Sequence, residues 1–541
     1  MKHYFSLTLL ATAVLAGCAT TSITPTDVTN GYNSIQADEL AKHVKVLASD
    51  EFGGRAPSSP GEKLTLDYLT AQFKALGLKP GNGDSYLQEV PLVSLEADSN
   101  MVLSIGGKDY QYKKDMVMGS SRISAQEGIE NSELVFVGYG VNAPEYNWND
   151  YEGLDVKGKT VVMLVNDPGF ATKDPALFTG DAMTYYGRWT YKYEEASRQG
   201  AAGAIIIHET APASYPWSVV ENSWSGEQFG FQKENNNMDR VAVEGWVTTD
   251  VAKELFTKAG LDFDTAKENA AKGAYHVDMG DLTASVNVKN TIKKSVSYNF
   301  IATLPGSEQP DEHVIYSAHW DHLGTDKTRK GDQIYNGAHD NATGTAGLIE
   351  VAEAFTKLPK HPSRSMTFLA VTAEEQGLLG SKYYAANPVI AANKTVANIN
   401  MDSLNLLGKV KDMNVVGIGK SQMDEFLATA AKEQGRTISG DPKPSSGGYY
   451  RSDHFAFANM GIPAMYAGGG TVAADEETAN YRKRMSLVLR GCYHQPCDRY
   501  RDEWDLSGAV QDLQLFYKVG FDISEQEQWP TWNANSEFQR K

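Results

Sequence analysis

The chain has 541 residues with a formal net charge of −18, 41% hydrophobic and 22% charged residues. That length is too great for one ordinary core, so two or three domains are expected. The acidity, with no clustered Lys and Arg, excludes a nucleic-acid-binding surface.

At the start, Lys2 and His3 precede an apolar run over 4–15 and then Ala16-Gly17-Cys18. A short basic start, a short apolar stretch and small residues describe a secretory signal, 1–17, and the run is too short to span a bilayer. Leu15-Ala16-Gly17-Cys18 resembles the bacterial lipobox, which implies acylation at Cys18 and a tether to a membrane surface. Ala19 in place of Asp points to the outer membrane within that pattern. Residues 18–36, rich in Thr, Ser and Asn, read as the lipid-anchored tether.

From 37 the pattern turns helical. Leu40, Val44 and Leu47 recur at helical spacing, as do Leu64, Tyr68, Leu69 and Phe73. Residues 125–285 read as a separate α/β module, with strands over 134–137, 159–165 and 204–207 and a helix over 192–199. From about 296 strand, loop and helix alternate. Strands are expected over 313–318, 365–371, 396–401 and 464–466, and helices over 345–358, 378–386, 423–432 and 506–523. The expected fold is therefore α/β: a mixed, mostly parallel sheet between helices, formed by 37–124 and 286–541 and interrupted by the 125–285 insertion.

In such a sheet, ligands bind beyond the carboxyl ends of the strands. Three strands run into His319, Glu374-Glu375 and Asp402, and Asp340 sits in a polar loop before a helix. A lone Asp there is usually a cap, but one imidazole or carboxylate at each strand end is a metal pattern. Imidazole and carboxylate without thiolate suit zinc, with cobalt or manganese also open. Two His and three carboxylates exceed what one tetrahedral ion needs. They suit two Zn2+ roughly 3.5–4 Å apart that share a carboxylate and a hydroxide. The adjacent Glu374 then serves as general base.

Ser317-Ala318-His319-Trp320-Asp321-His322, the segment from Asn336 to Gly344, Glu374-Glu375-Gln376-Gly377 and Asn400-Met401-Asp402 resemble the di-zinc exopeptidase family of bacterial secreted aminopeptidases and glutamate carboxypeptidase II. The spacings of 21, 35 and 27 residues from His319 through Asp340 and Glu375 to Asp402 suit it too. The resemblance implies that His319 and Asp402 hold one zinc and Glu375 and a last His the other. Asp340 bridges them, Glu374 is the base, and Asp321 orients the His319 ring. For the last ligand, His494 in Cys492-Tyr493-His494-Gln495-Pro496-Cys497 is preferred to His454. Tyr493 would face the oxyanion, and Cys492 and Cys497 would form a disulfide, as export also suggests. Arg451 is a candidate for binding substrate. His322, His339 and His361 are read as structural or surface residues.

Gly138-Tyr139-Gly140, the stretch from Asp150 to Lys159 and Gly200-Ala201-Ala202-Gly203 resemble a protease-associated domain. Residues from His43 to Arg55 resemble the opening of exported members that carry that insertion. The resemblance implies a zinc metallopeptidase acting on peptides, with an aminopeptidase preferred. A carboxypeptidase or dipeptidase stays open, and single-zinc glutaminyl cyclases and non-catalytic receptors share the architecture.

Overall fold

In the computed structural model, residues 22–534 and 536–540 are described. Residues 1–17, expected to be an export signal, and Cys18 lie outside them. No helix among the described residues is long and apolar enough to cross a membrane.

Strands Gln309–His319, Arg364–Val371 and Thr395–Asn400 run parallel and are joined by parallel pairing to Ala464–Gly469. Antiparallel strands flank them: Val277–Leu304 lies against Arg364–Val371, and Leu87–Ala97 lies against Val277–Leu304. Arg364–Val371 and Thr395–Asn400 are buried at every position, as expected where helices cover both faces. Alternation along Gln309–His319 assigns each face. Val314, Tyr316 and Ala318 enter the larger core, and Ile315 enters a smaller one on the other side.

On the larger face lie the helices Ala37–Leu47, Pro60–Ala75, Thr343–Thr356 and Ser507–Glu525. Thr343–Thr356 is buried on nearly all sides, so its apolar residues form a belt rather than a stripe. Pro60–Ala75 starts where the sequence allows it. Ser59 accepts from the Glu62 backbone N–H, and Pro60 occupies the first turn, where no N–H is needed.

A second unit is built on strands Gln126–Phe136, Thr160–Leu164, Gly203–His208 and Val243–Thr248, all parallel neighbours. Val162 and Leu164 feed one of its cores, Val161 and Met163 the other. The 28-residue strand Val277–Leu304 belongs to both sheets. Its first part pairs with Gln126–Phe136 and its last with Leu87–Ala97 and Arg364–Val371.

Two expectations need correction, and one helix was not foreseen. The unit's core takes Met101, Leu103, Ile105, Tyr110, Met116 and Met118, so its chain starts near 100 rather than at 125. The shared strand also leaves no clean boundary at 285. Second, the tether assigned to 18–36 is not a tether from Pro25 onward. Pro25–Ser34 is a helix with a reciprocal cap between Thr24 and Asp27. Val28 and Tyr32 pack on the larger core, Ile35 is fully buried, and a Cβ on Gly31 would strike the Tyr517 hydroxyl. In addition, Glu476–Cys492 forms a 17-residue helix that the periodicity did not reveal. Only Met485 and Cys492 of it are buried.

Candidate metal centre

His319 ends the Gln309–His319 strand, and its carbonyl accepts a 2.8 Å hydrogen bond from Thr345 Oγ1 of the neighbouring helix. Asp340 lies in a tight segment, Ala338–Ala342, entered through Gly337 at φ +56°. A Cβ at Gly337 would overlap the Asp340 carbonyl and the His322 ring. Asp498 straps the segment down by accepting from the backbone N–H groups of His339 at 2.9 Å and Asp340 at 3.1 Å. Asn341 ties the Asp340 loop to the Asp402 loop. Its Oδ1 accepts from the Ser403 N–H at 3.0 Å, and its Nδ2 donates to the Met401 carbonyl at 3.0 Å. Ala373, Ser403 and His494 all take positive φ. Each is at or beside a candidate ligand, where local strain often concentrates.

The side chains converge. His319 Nε2 is 3.3 Å from Asp340 Oδ1, 3.5 Å from Asp402 Oδ1 and 3.9 Å from Glu374 Oε2. His494 Nε2 is 3.2 Å from Asp340 Oδ2 and 3.0 Å from Glu375 Oε2. The two oxygens of Asp340 thus face two different histidines. His319, Glu374 and Asp402 form one group able to hold an ion, and His322, Asp340 and Glu375 a second. Cys492 and Cys497 are bonded and bracket the loop that presents His494.

Electrostatics favour cations here. Asp340, Glu374, Glu375 and Asp402 crowd together, and only imidazoles form ion pairs with them among the described residues. His319 Nδ1 lies 3.2 Å from the Asp321 carbonyl oxygen, an N–H donation that leaves Nε2 as the lone-pair nitrogen. That Nε2 is buried without a hydrogen-bond partner. A lone pair aimed at carboxylates is repulsive unless a proton or a metal ion lies between them. Burial opposes a charge on the ring, yet Glu374, Asp340 and Asp402 pull its pKa well above the usual imidazole range. Burial likewise opposes a charge on His494, but contacts with Asp340 and Glu375 raise it to about 10. Burial alone would raise Asp340; its contacts with His319 and His494 hold it well below the carboxylate range instead. The donor set therefore suits divalent ions bound through nitrogen and oxygen.

Burial, and then the charges of Asp402, Asp453 and Glu375, push the Glu374 carboxyl well above its ordinary value despite the opposing pull of His319. Asp321 acts differently from the expectation. Its carboxylate Oδ1 is 3.8 Å from His319 Nδ1, whereas both its oxygens accept from the Glu374 and Glu375 N–H groups, at 3.1 and 3.4 Å. It orients the histidine with its carbonyl and the paired glutamates with its side chain.

His322 also departs from its reading as structural or surface. It is fully buried, with Nδ1 2.6 Å from Glu375 Oε1. His339 sits beside the site with Nε2 3.2 Å from the Leu404 carbonyl, and His361 lies away from it near Pro305. His454 is buried against Tyr449 and Tyr466. Tyr493 is 56% exposed, its ring stacked on His494 at 3.9 Å. Arg451 is exposed. The next residue, Ser452, donates to Asp402 Oδ2 at 2.6 Å.

Three contributors were missed in the sequence. Ser452 buttresses Asp402. Tyr466 ends up among the same acids, its pKa raised well above normal by burial and then by Asp402, Asp340 and Glu374. Arg55 is buried with its guanidinium donating to the carbonyls of Leu47, Trp320, Asn336 and Gly337 at 2.6–2.9 Å. It thereby clamps the loops that carry His319 and Asp340. The motif around Gly53-Gly54-Arg55 was visible, but three of the four partners of Arg55 are 265–282 positions away.

Residues 299–517 match the sequence profile of Peptidase family M28. An aminopeptidase of Pseudomonas aeruginosa (strain UCBPP-PA14) is 24% identical over 490 residues, covering 86% of this chain and 76% of that protein. Leupeptin-inactivating enzyme 1 of Streptomyces exfoliatus is 25% identical over 244 residues, covering 44% of this chain and only half of its own length. Among solved structures, an aminopeptidase from Aneurinibacillus sp. strain AM-1 aligns with a TM-score of 0.50 and 19% identity, over 95% of this chain and all of that one. That likeness concerns the fold.

Proposed function

We propose that this chain, a metallopeptidase whose residues 299–517 belong to peptidase family M28, is a two-zinc exopeptidase that removes residues from the amino ends of peptides. The observation that carries the reading is Asp340, whose two carboxylate oxygens face His319 on one side and His494 on the other. His319, Asp340 and Asp402 would hold one ion; Asp340, Glu375 and His494 would hold the other. When bound, such ions supply Lewis acidity and a water whose pKa falls to roughly 7.

The protein's own groups supply the rest. Glu374 does not bridge the histidines, and burial raises its carboxyl above the ordinary value, which suits a group that takes up a proton and returns it to the leaving amine. The carboxylates of Asp402 and Glu374 offer partners for a substrate's ammonium group. Tyr493, exposed over His494, would donate toward an oxyanion, an effect that can contribute a few kcal/mol. Ser452 and Asp321 hold Asp402 and the paired glutamates in place. We also propose export through the 1–17 signal and anchoring by a lipid on Cys18, at the outer membrane, on the strength of the lipobox-like sequence alone.

The test is release of a chromogenic group from an amino-acid p-nitroanilide, set against N-blocked peptides with free carboxyl ends. Turnover of the first and not the second is expected, and the reverse would make the enzyme a carboxypeptidase. Glu374→Gln should keep its zinc and lose 10²-fold or more of kcat, within the range for a lost general base, about 10²–10⁴. Near-full activity in that variant would overturn the assignment of the base.

A further inference from the structure

The strand Glu227–Phe231 belongs in sequence to the inserted unit but adds to the peptidase sheet, antiparallel to Leu87–Ala97. Among the described residues no strand pairs with its other side, so it forms that sheet's edge. The Gln232 N–H donates to the Pro91 carbonyl at 2.9 Å. Bonding alternates along an antiparallel pair, so Gln228 and Gly230 also turn their backbone groups inward. The N–H and C=O groups of Glu227, Phe229 and Phe231 therefore point out of the sheet. Proline or a bulge commonly blunts such an edge. This one has a continuous register and no proline, and Phe229 is 40% exposed on it.

The edge is complementary to itself. Its sequence reads Glu227-Gln228-Phe229-Gly230-Phe231-Gln232-Lys233, nearly the same in both directions. Two copies laid antiparallel about a two-fold axis at Gly230 set Phe229 opposite Phe231, Gln228 opposite Gln232 and Glu227 opposite Lys233. Outward residues of one copy then meet outward residues of the other, so Phe229 and Phe231 exchange both backbone hydrogen bonds. Aromatic and opposite-charge pairs across strands both favour pairing. Phe231 rests on Tyr383 with ring centroids 5.7 Å apart, which gives the aromatic pair a fixed base. Glu227 and Lys233 have contacts within the single chain, to Lys293 at 3.1 Å and Asp239 at 3.2 Å. These are solvent-exposed pairs, which cost little to exchange.

Gly230 supplies a second, independent sign. A glycine inside a strand weakens it and often marks the close approach of another backbone. Within its own chain nothing demands one here: a Cβ on Gly230 would meet no atom within 4 Å. On the two-fold axis it would fall in a pair without hydrogen bonds, where the Cα atoms come within about 4.5 Å.

We infer that the Glu227–Phe231 edges of two copies of this chain pair in that register, giving a two-fold dimer with one sheet continuous across both peptidase units. The contact is isologous, so it closes at two copies and does not propagate. A seven-residue edge falls short of the roughly 1,200–2,000 Å² buried in stable complexes, so the dimer is reversible.

The purified zinc-loaded protein is followed by sedimentation velocity over a concentration series, and a monomer–dimer equilibrium is expected. Glu227→Lys sets lysines opposite each other and Lys233→Glu sets glutamates opposite each other, so either variant alone should dimerise at least ten-fold more weakly. An equimolar mixture of the two should regain the dimer, because each chain supplies the charge the other lacks. Phe229→Pro removes an outward N–H and no inward one, and it should leave a monomer. Melting temperatures, read alongside, check that each variant is folded. A monomer at every concentration, a dimer indifferent to both reversals, or a mixture that stays monomeric overturns the proposal. So does a monomer whose edge gains protection from hydrogen exchange only when an extended peptide is added, which would assign the edge to a peptide instead.

Discussion

Replacing Arg55 with methionine keeps the side chain's length and removes its donors. The guanidinium makes four hydrogen bonds, to the carbonyls of Leu47 at 2.7 Å, Trp320 at 2.9 Å, Asn336 at 2.6 Å and Gly337 at 2.8 Å. Arg55 is 1% exposed, and burial holds its pKa down to about 10. A hydrogen bond to a charged group contributes about 1.5–3 kcal/mol net, and a buried polar group left unpaired costs about 1–3 kcal/mol. Four such terms do not add fully, because the variant no longer buries a charge and the carbonyls share one donor group. A loss of about 3–6 kcal/mol is expected, a large part of the 5–15 kcal/mol that holds a typical domain. Urea unfolding of chelator-treated protein, followed by tryptophan fluorescence, reads it directly. Because Trp320 adjoins His319 and Gly337 leads into Asp340, zinc affinity should fall as well. A change below 1 kcal/mol with unaltered zinc affinity would refute the idea that Arg55 clamps the two ligand loops.

Ser452→Ala removes the 2.6 Å hydrogen bond to Asp402 Oδ2; loss of such a partner typically lowers metal affinity 10–100-fold, so chelator competition should show that fall, and an unchanged affinity would contradict the role given to Ser452. Glu350 is 2% exposed, and burial, then Glu353, push its carboxyl up to about 8. The folded chain then keeps a proton that the unfolded chain releases above about 4.5, so stability falls as pH rises between these values, by at most about 1.4 kcal/mol per unit. Glu350→Gln should therefore stabilise the protein more at pH 8 than at pH 5; equal shifts in melting temperature at both would contradict this.

The parallel strands and the residues at their ends were legible because a strand buried on both faces is a short apolar run, and because each of these runs stops at a His, Glu or Asp. Other features depended on contacts distant in sequence. His322 looks like an unremarkable neighbour of Asp321 until the fold sets its ring against Glu375. Ser452 and Tyr466 are common residue types, informative only once Asp402 stands beside them. The Pro25–Ser34 helix has a polar composition that resembles a tether, and its cap between Thr24 and Asp27 was the available signal. Glu476–Cys492 buries two residues, so it carries little apolar periodicity.

The central claim is that Asp340 joins two metal positions. The direct test is zinc content by mass spectrometry for the purified chain and for His494→Ala, each after removal of free metal. Two zinc ions per chain are expected for the first, falling to about one for the variant. A single zinc in the unaltered protein, unchanged by loss of His494, would contradict the account.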